Sequence, residues 1–180
     1  MKAKNLKELS PSSSTKFFLD TNVWLYLYFP QYSNVAKHII EKYSSAFDEI
    51  LEKNCLIVTD VIQMSELINL VLHIEFKEFQ KTNPTITFKQ FRNSVSSIDA
   101  FENAKLLAKN ILKSATLRGG IFTEAEIITI VHSCDKADFN DIYFARFCDK
   151  ESATLITHDF DFNALDIEIK VYSGNSKYYA

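Results

Sequence analysis

Three short apolar runs, each stopped by an aspartate or a His-Asp pair, set the frame of this chain. Residues Lys16–Leu19 end at Asp20, residues 55–59 end at Asp60, and Ala153–Thr157 is followed by His158 and Asp159. Runs this short, without polar alternation, read as strands buried on both faces. A fourth run, residues 167–172, alternates apolar and polar residues as an edge strand does. Four strands are therefore expected.

The stretches between these runs carry helical spacing. Ser33 is placed to cap a helix in which Val35, Ile39, Ile40, Tyr43, Phe47, Ile50 and Leu51 form one apolar face. Asp60 and Gln63 have the spacing of a capping box ahead of Leu67, Ile68, Val71, Leu72, Phe76 and Phe79. Asn83 and Pro84 break that helix, residues 87–90 open another, and residues 98–115 put Phe101, Leu107, Ala108, Ile111 and Leu112 on one face. Gly119 and Gly120 turn the chain, and Thr123 with Glu126 is a second capping box, ahead of Ile127, Ile128, Ile130 and Val131. The middle of the chain is thus expected to be entirely helical. Strands alternating with helices imply right-handed crossovers. The expected fold is a three-layer α/β/α arrangement with a central, mostly parallel sheet and an enlarged helical middle region.

At 180 residues and 47% hydrophobic, the chain can bury one sizeable core. Residues 1–15, lysine-bearing and Ser-rich toward residue 15, read as a mobile tail ahead of a single domain over residues 16–180. They lack the apolar core of a signal peptide, and no run approaches the roughly 20 residues that span a bilayer. A cytoplasmic protein without a membrane span is expected. The net charge of −3 excludes binding nucleic acid by an all-over basic surface, so any such contact must be local. Cys55, Cys134 and Cys148 form no CxxC pair and the four histidines no HExxH, which argues against a zinc site. Of the histidines, only His158 neighbours the expected acidic site. Lone basic residues such as Lys16, Arg92, Arg118 and Arg146 are assigned no binding role.

In an open parallel sheet, ligands sit beyond the carboxyl ends of the strands. That edge would receive Asp20 from the first strand and Asp159 from the third. Glu66, about two helical turns past the second strand, can point back to it, and Asp141 opens the helix before the third strand. Each has an ordinary alternative: Asp20 as a helix cap, Glu66 as a solvated glutamate, Asp138 and Asp141 as dipole partners, Asp159 and Asp161 as turn formers. Together, four carboxylates repel unless protons or hard cations neutralise them, which points to Mg2+ or Mn2+ and to phosphodiester hydrolysis.

The segments Phe17-Phe18-Leu19-Asp20-Thr21-Asn22, Ser65-Glu66-Leu67, Asn140-Asp141 and Leu155-Ile156-Thr157-His158-Asp159-Phe160-Asp161-Phe162 resemble a PIN domain in order and spacing. The resemblance implies a Mg2+- or Mn2+-dependent ribonuclease of the VapC-like kind with Asp20, Glu66, Asp141 and Asp159 as metal-binding catalytic residues. Asp138 and Asp161 are candidate additional ligands. It also implies that Thr21 or Asn22 holds the first aspartate, that Thr157 orients from the third strand, and that the partners are an RNA substrate, a small antitoxin protein and a second copy of the chain. The long middle region departs from compact toxin members.

Three other classes compete. A HAD-type phosphatase needs a second aspartate where this chain has Asn22. A dinucleotide-binding enzyme needs a glycine-rich turn after the first strand, and the chain has only three glycines. A catalytically silent PIN-like module that binds RNA or protein is the remaining alternative, set against by the retention of all four carboxylates.

Overall fold

The structure, a computed structural model, describes residues 2–33, 35–135 and 137–179. Its framework is a six-stranded sheet, parallel throughout, in the order β1-β6-β5-β2-β3-β4. The strands are β1 (Lys4–Asn5), β2 (Lys16–Leu19), β3 (Leu56–Asp60), β4 (Thr116–Arg118), β5 (Ala153–Thr157) and β6 (Val171–Ser173). The helices are α1 (Thr21–Tyr28), α2 (Lys37–Glu52), α3 (Val61–Gln80), α4 (Phe88–Arg92), α5 (Ile98–Ser114), α6 (Glu124–His132) and α7 (Phe139–Glu151).

The pleat sorts the apolar runs into two cores. On one face, Phe17, Leu19, Ile57 and Ile156 pack with α1, α2, α3 and α5. On the other, Phe18, Val58 and Leu155 pack with Ile130 of α6 and with Tyr143, Phe144 and Phe147 of α7. Two covered faces explain why these strands read as unbroken apolar runs. A smaller cluster around Leu72, Phe91 and Ala100 joins α3, α4 and α5 and forms the enlarged middle region. Among the described residues, no helix is long and apolar enough to cross a membrane.

The N-terminal segment is not a mobile tail. Lys4 and Asn5 pair with Tyr172 and Ser173. A 3-10 turn at Leu6–Glu8 follows, capped by the Asn5 side chain, which accepts from Lys7 N at 3.0 Å. Leu6 and Leu9 are buried in the core shared with α1 and α2, and Ala3 in the other. A two-residue strand among polar neighbours leaves no periodicity to read. Leu6→Ala is expected to cost about 2 kcal/mol or more in urea denaturation; a free tail would show no change.

Other expectations shift as well. The middle region contains a strand, β4, which pairs with β3 and places Thr116–Arg118 at an edge. Of residues 167–172, only Val171 and Tyr172 enter a strand, and β6 lies between β5 and β1, not at the edge. Ser33 does not cap α2, whose N-cap is Ala36. Asp60 caps α3 by accepting from Ile62 N at 2.8 Å, but Gln63 does not close a capping box. Its amide instead donates to Leu19 O at 2.7 Å and accepts from Thr59 Oγ1 at 2.8 Å. Gln63 thereby fixes the first turn of α3 against the ends of β2 and β3. The capping boxes at Thr87–Gln90 and Thr123–Glu126 are both present.

Candidate active site

The chain moves from β2 to β3 on one side and later returns through β5 on the other, so β2 and β5 flank the point where the winding reverses. In open parallel sheets the carboxyl ends at such a point are where ligands sit. Asp20 occupies this point. Its backbone N–H still donates to Ile156 O at 2.9 Å, and the residue is only 5% exposed. Oδ1 accepts from Thr21 N at 2.7 Å, and Oδ2 from the Thr157 hydroxyl at 2.9 Å. Thr157 Oγ1 also accepts from Asp159 N at 2.9 Å, so one side chain of β5 sets both Asp20 and the backbone of Asp159.

The other acidic residues approach from helices. Glu66 projects from the second turn of α3 and is half-buried, with Oε2 accepting from the Thr21 hydroxyl at 3.0 Å. Thr21 therefore touches Asp20 through its amide, while its side chain holds Glu66. Asn22 stands partly exposed on the first turn of α1. Asp138 is the N-cap of α7, accepting from Asn140 N at 3.2 Å, and Asp141 lies in the same first turn. Asp159 Oδ1 accepts from Asp161 N at 3.0 Å, which closes the loop after β5 and leaves Asp161 exposed. Asp60 also sits at a strand end and is buried, yet its carboxylate serves the cap of α3 and a hydrogen bond with Tyr143.

Electrostatics couple this set. Burial pushes the Asp20 carboxyl up to about 7; the Thr157 hydrogen bond works against that, and the charges of Glu66 and Asp159 add to it. Asp141 is likewise raised to about 7, by burial first and then by Asp20, Asp159, Asp138 and Asp161. Glu66 is raised by burial, with Thr21 opposing and Asp141, Asp138 and Asp159 reinforcing. The charges acting on these three groups are all carboxylates, so the acidic residues at this edge are coupled electrostatically. His158 is lowered by burial, against the pull of Asp159.

No family model, curated protein or solved structure matches this chain. The chemistry must therefore be argued from the rim itself. Its donors are oxygen only, the kind that Mg2+ and Mn2+ select. Among the described residues, no three Asp, Glu, His or Cys side chains converge into a ready-made cage. A hydrated Mg2+ needs only one or two carboxylates, with water completing its shell, so the donor set fits such an ion without enclosing it. The rim is open. A hollow of about 350 Å³ lined by Leu6, Leu9, His38 and Glu41 lies apart from it, against α2.

Sequence reading reached the aspartates because each follows an apolar run or opens a helix, and Glu66 through its place in the PIN-like pattern. It missed Gln63, Tyr43, Asn175 and Tyr178, which act on this rim through hydrogen bonds to main-chain atoms at the ends of β2 and β5. Spacing places Gln63 at a cap and Tyr43 on an apolar stripe, and no spacing rule reveals these hydrogen bonds to distant main chain.

Proposed function

We propose that the chain is a Mg2+- or Mn2+-dependent ribonuclease of the PIN-domain kind that hydrolyses RNA phosphodiester bonds. The observation that carries this reading is the burial of Asp20 at the reversal point of the sheet, in mutual repulsion with Glu66 and Asp159 and raising Asp141 in turn. A protein keeps so costly a charge at a strand end where a cation is to be held.

Asp20, Glu66, Asp141 and Asp159 would hold the ion, with Asp138 and Asp161 at the margin of the same rim. When bound, the metal supplies an activated water and stabilises charge on the phosphorane and the leaving oxygen. The protein's own part is positional. Thr157 holds Oδ2 of Asp20, and Thr21 holds Oε2 of Glu66, so both carboxylates meet an ion in one orientation. Following the same resemblance, the chain would act as the toxin of a type II pair in the cytoplasm, with a small antitoxin protein over the rim and a second copy of the chain as a further partner.

The test is incubation of the purified chain with single-stranded and structured RNAs, with Mn2+ or Mg2+ and with chelator. Cleavage that stops on chelation and resumes on adding metal is the expected outcome. Cleavage that persists in chelator would overturn the metal reading, and none under any condition would favour a silent binding module.

A further inference from the structure

Three consecutive main-chain carbonyls where β5 runs into the acidic loop are each taken by a side chain from elsewhere. Thr157 O accepts from the Tyr43 hydroxyl at 2.8 Å, His158 O from Asn175 Nδ2 at 2.7 Å, and Asp159 O from the Tyr178 hydroxyl at 2.5 Å. Carbonyls of a surface loop ordinarily turn to water. Here they are bound one after another by α2 and by the segment that follows β6.

That segment is itself anchored. Gly174 N donates to the Tyr43 hydroxyl at 2.8 Å. A Cβ at Gly174 would stand 3.3 Å from the Tyr43 ring, so glycine permits the close approach. Asn175 Oδ1 accepts from Lys177 N at 3.0 Å, closing a turn that presents its Nδ2 to His158 O. The Tyr178 ring meets the Phe160 ring edge-on, with centroids 5.0 Å apart.

The geometry points to residues 174–179 as a strap that fixes Asp159 on the acidic rim, with Asn175 and Tyr178 as its positioning residues. The inference rests on the reading of Asp159 as a metal-holding residue. Each positioning side chain acts through the backbone of the loop that carries the carboxylate. Tyr179 supplies the contrast. Its hydroxyl donates to Lys4 O at 2.6 Å and Ser173 O at 2.7 Å, which ties the β1–β6 edge and leaves the acidic loop untouched.

The experiment compares the full chain with Tyr178→Phe, Asn175→Ala and Tyr179→Phe in Mn2+ titrations followed by electron paramagnetic resonance, alongside amide hydrogen exchange over residues 158–161. Tyr178→Phe and Asn175→Ala are expected to weaken Mn2+ binding about three- to tenfold, the cost of one lost supporting hydrogen bond at a metal site. They should also speed exchange in that loop, with Tyr179→Phe matching the parent in both. Unchanged affinity and exchange in the first two would overturn the strap, as would equal shifts in all three, which would mean general loosening. If the parent binds no Mn2+, the metal reading fails on its own and exchange alone decides. Loop exchange faster in the first two variants but not in Tyr179→Phe still supports the strap, and unchanged exchange overturns it.

Discussion

Asp20→Asn is expected to abolish metal-dependent RNA cleavage while raising the melting temperature of the metal-free protein at pH 8. The two effects have one cause. Losing the central carboxylate should lower the rate by at least about a hundredfold, the upper range for disturbing even an outer partner of a metal site. For stability, the carboxyl is moved from 3.8 to about 7 on folding. That difference corresponds to roughly 4 kcal/mol of penalty once the group is ionised in the folded protein. Asn cannot ionise, keeps an oxygen for Thr21 N, and loses about 1 kcal/mol at the Thr157 hydroxyl. A net gain on the order of 2–3 kcal/mol remains, readable by calorimetry. A lower melting temperature with cleavage intact would identify Asp20 as a plain helix cap for α1.

The metal-free parent should also be less stable at pH 8 than at pH 5. Unfolded, the carboxyls of Asp20 and Asp141 ionise near 3.8; folded, they keep their protons until about 7. The folded state therefore binds more protons between those values, and its stability falls as pH rises through the window, then levels off. Asp141 is partly open to water, so its share is screened and Asp20 dominates. A loss of 5–10 °C in melting temperature is expected, at roughly 2–4 °C per kcal/mol for a chain of this size. Millimolar Mn2+ should restore more of it at pH 8 than at pH 5, because the ion competes with protons for the same oxygens. A flat or rising profile without metal would show that these carboxylates do not burden the fold.

What could be read from the sequence follows from which interactions leave a local trace. A strand covered on both faces must be apolar without interruption, so β2 and β5 could be placed residue by residue, and the aspartates beyond them with them. The capping box at Thr123 and the helix start at Thr87 are local chemistry and were legible for that reason, although the capping box at Thr87 was not read. β1 and β4 were not, because two or three residues hold their places through neighbours far away in the chain. Gln63 follows the same logic. Its sequence neighbour Asp60 suggested a cap, but the buried main-chain oxygen of Leu19 takes the amide. Tyr43 lies on an apolar helical stripe and reads as core, which it is, yet its hydroxyl also serves the end of β5.

The sheet closes at one border by joining β1 to β6, strands from opposite ends of the described chain. On a ribosome, β1 emerges well before β6 and must wait for it. The central strands β2 and β3 can meet much sooner, since the loop between them is shorter and its closure entropy smaller. The strap over Asp159 emerges later still. A nascent chain would thus hold paired central strands while the loop bearing Asp159 is still loose, so the acidic rim would be completed after them.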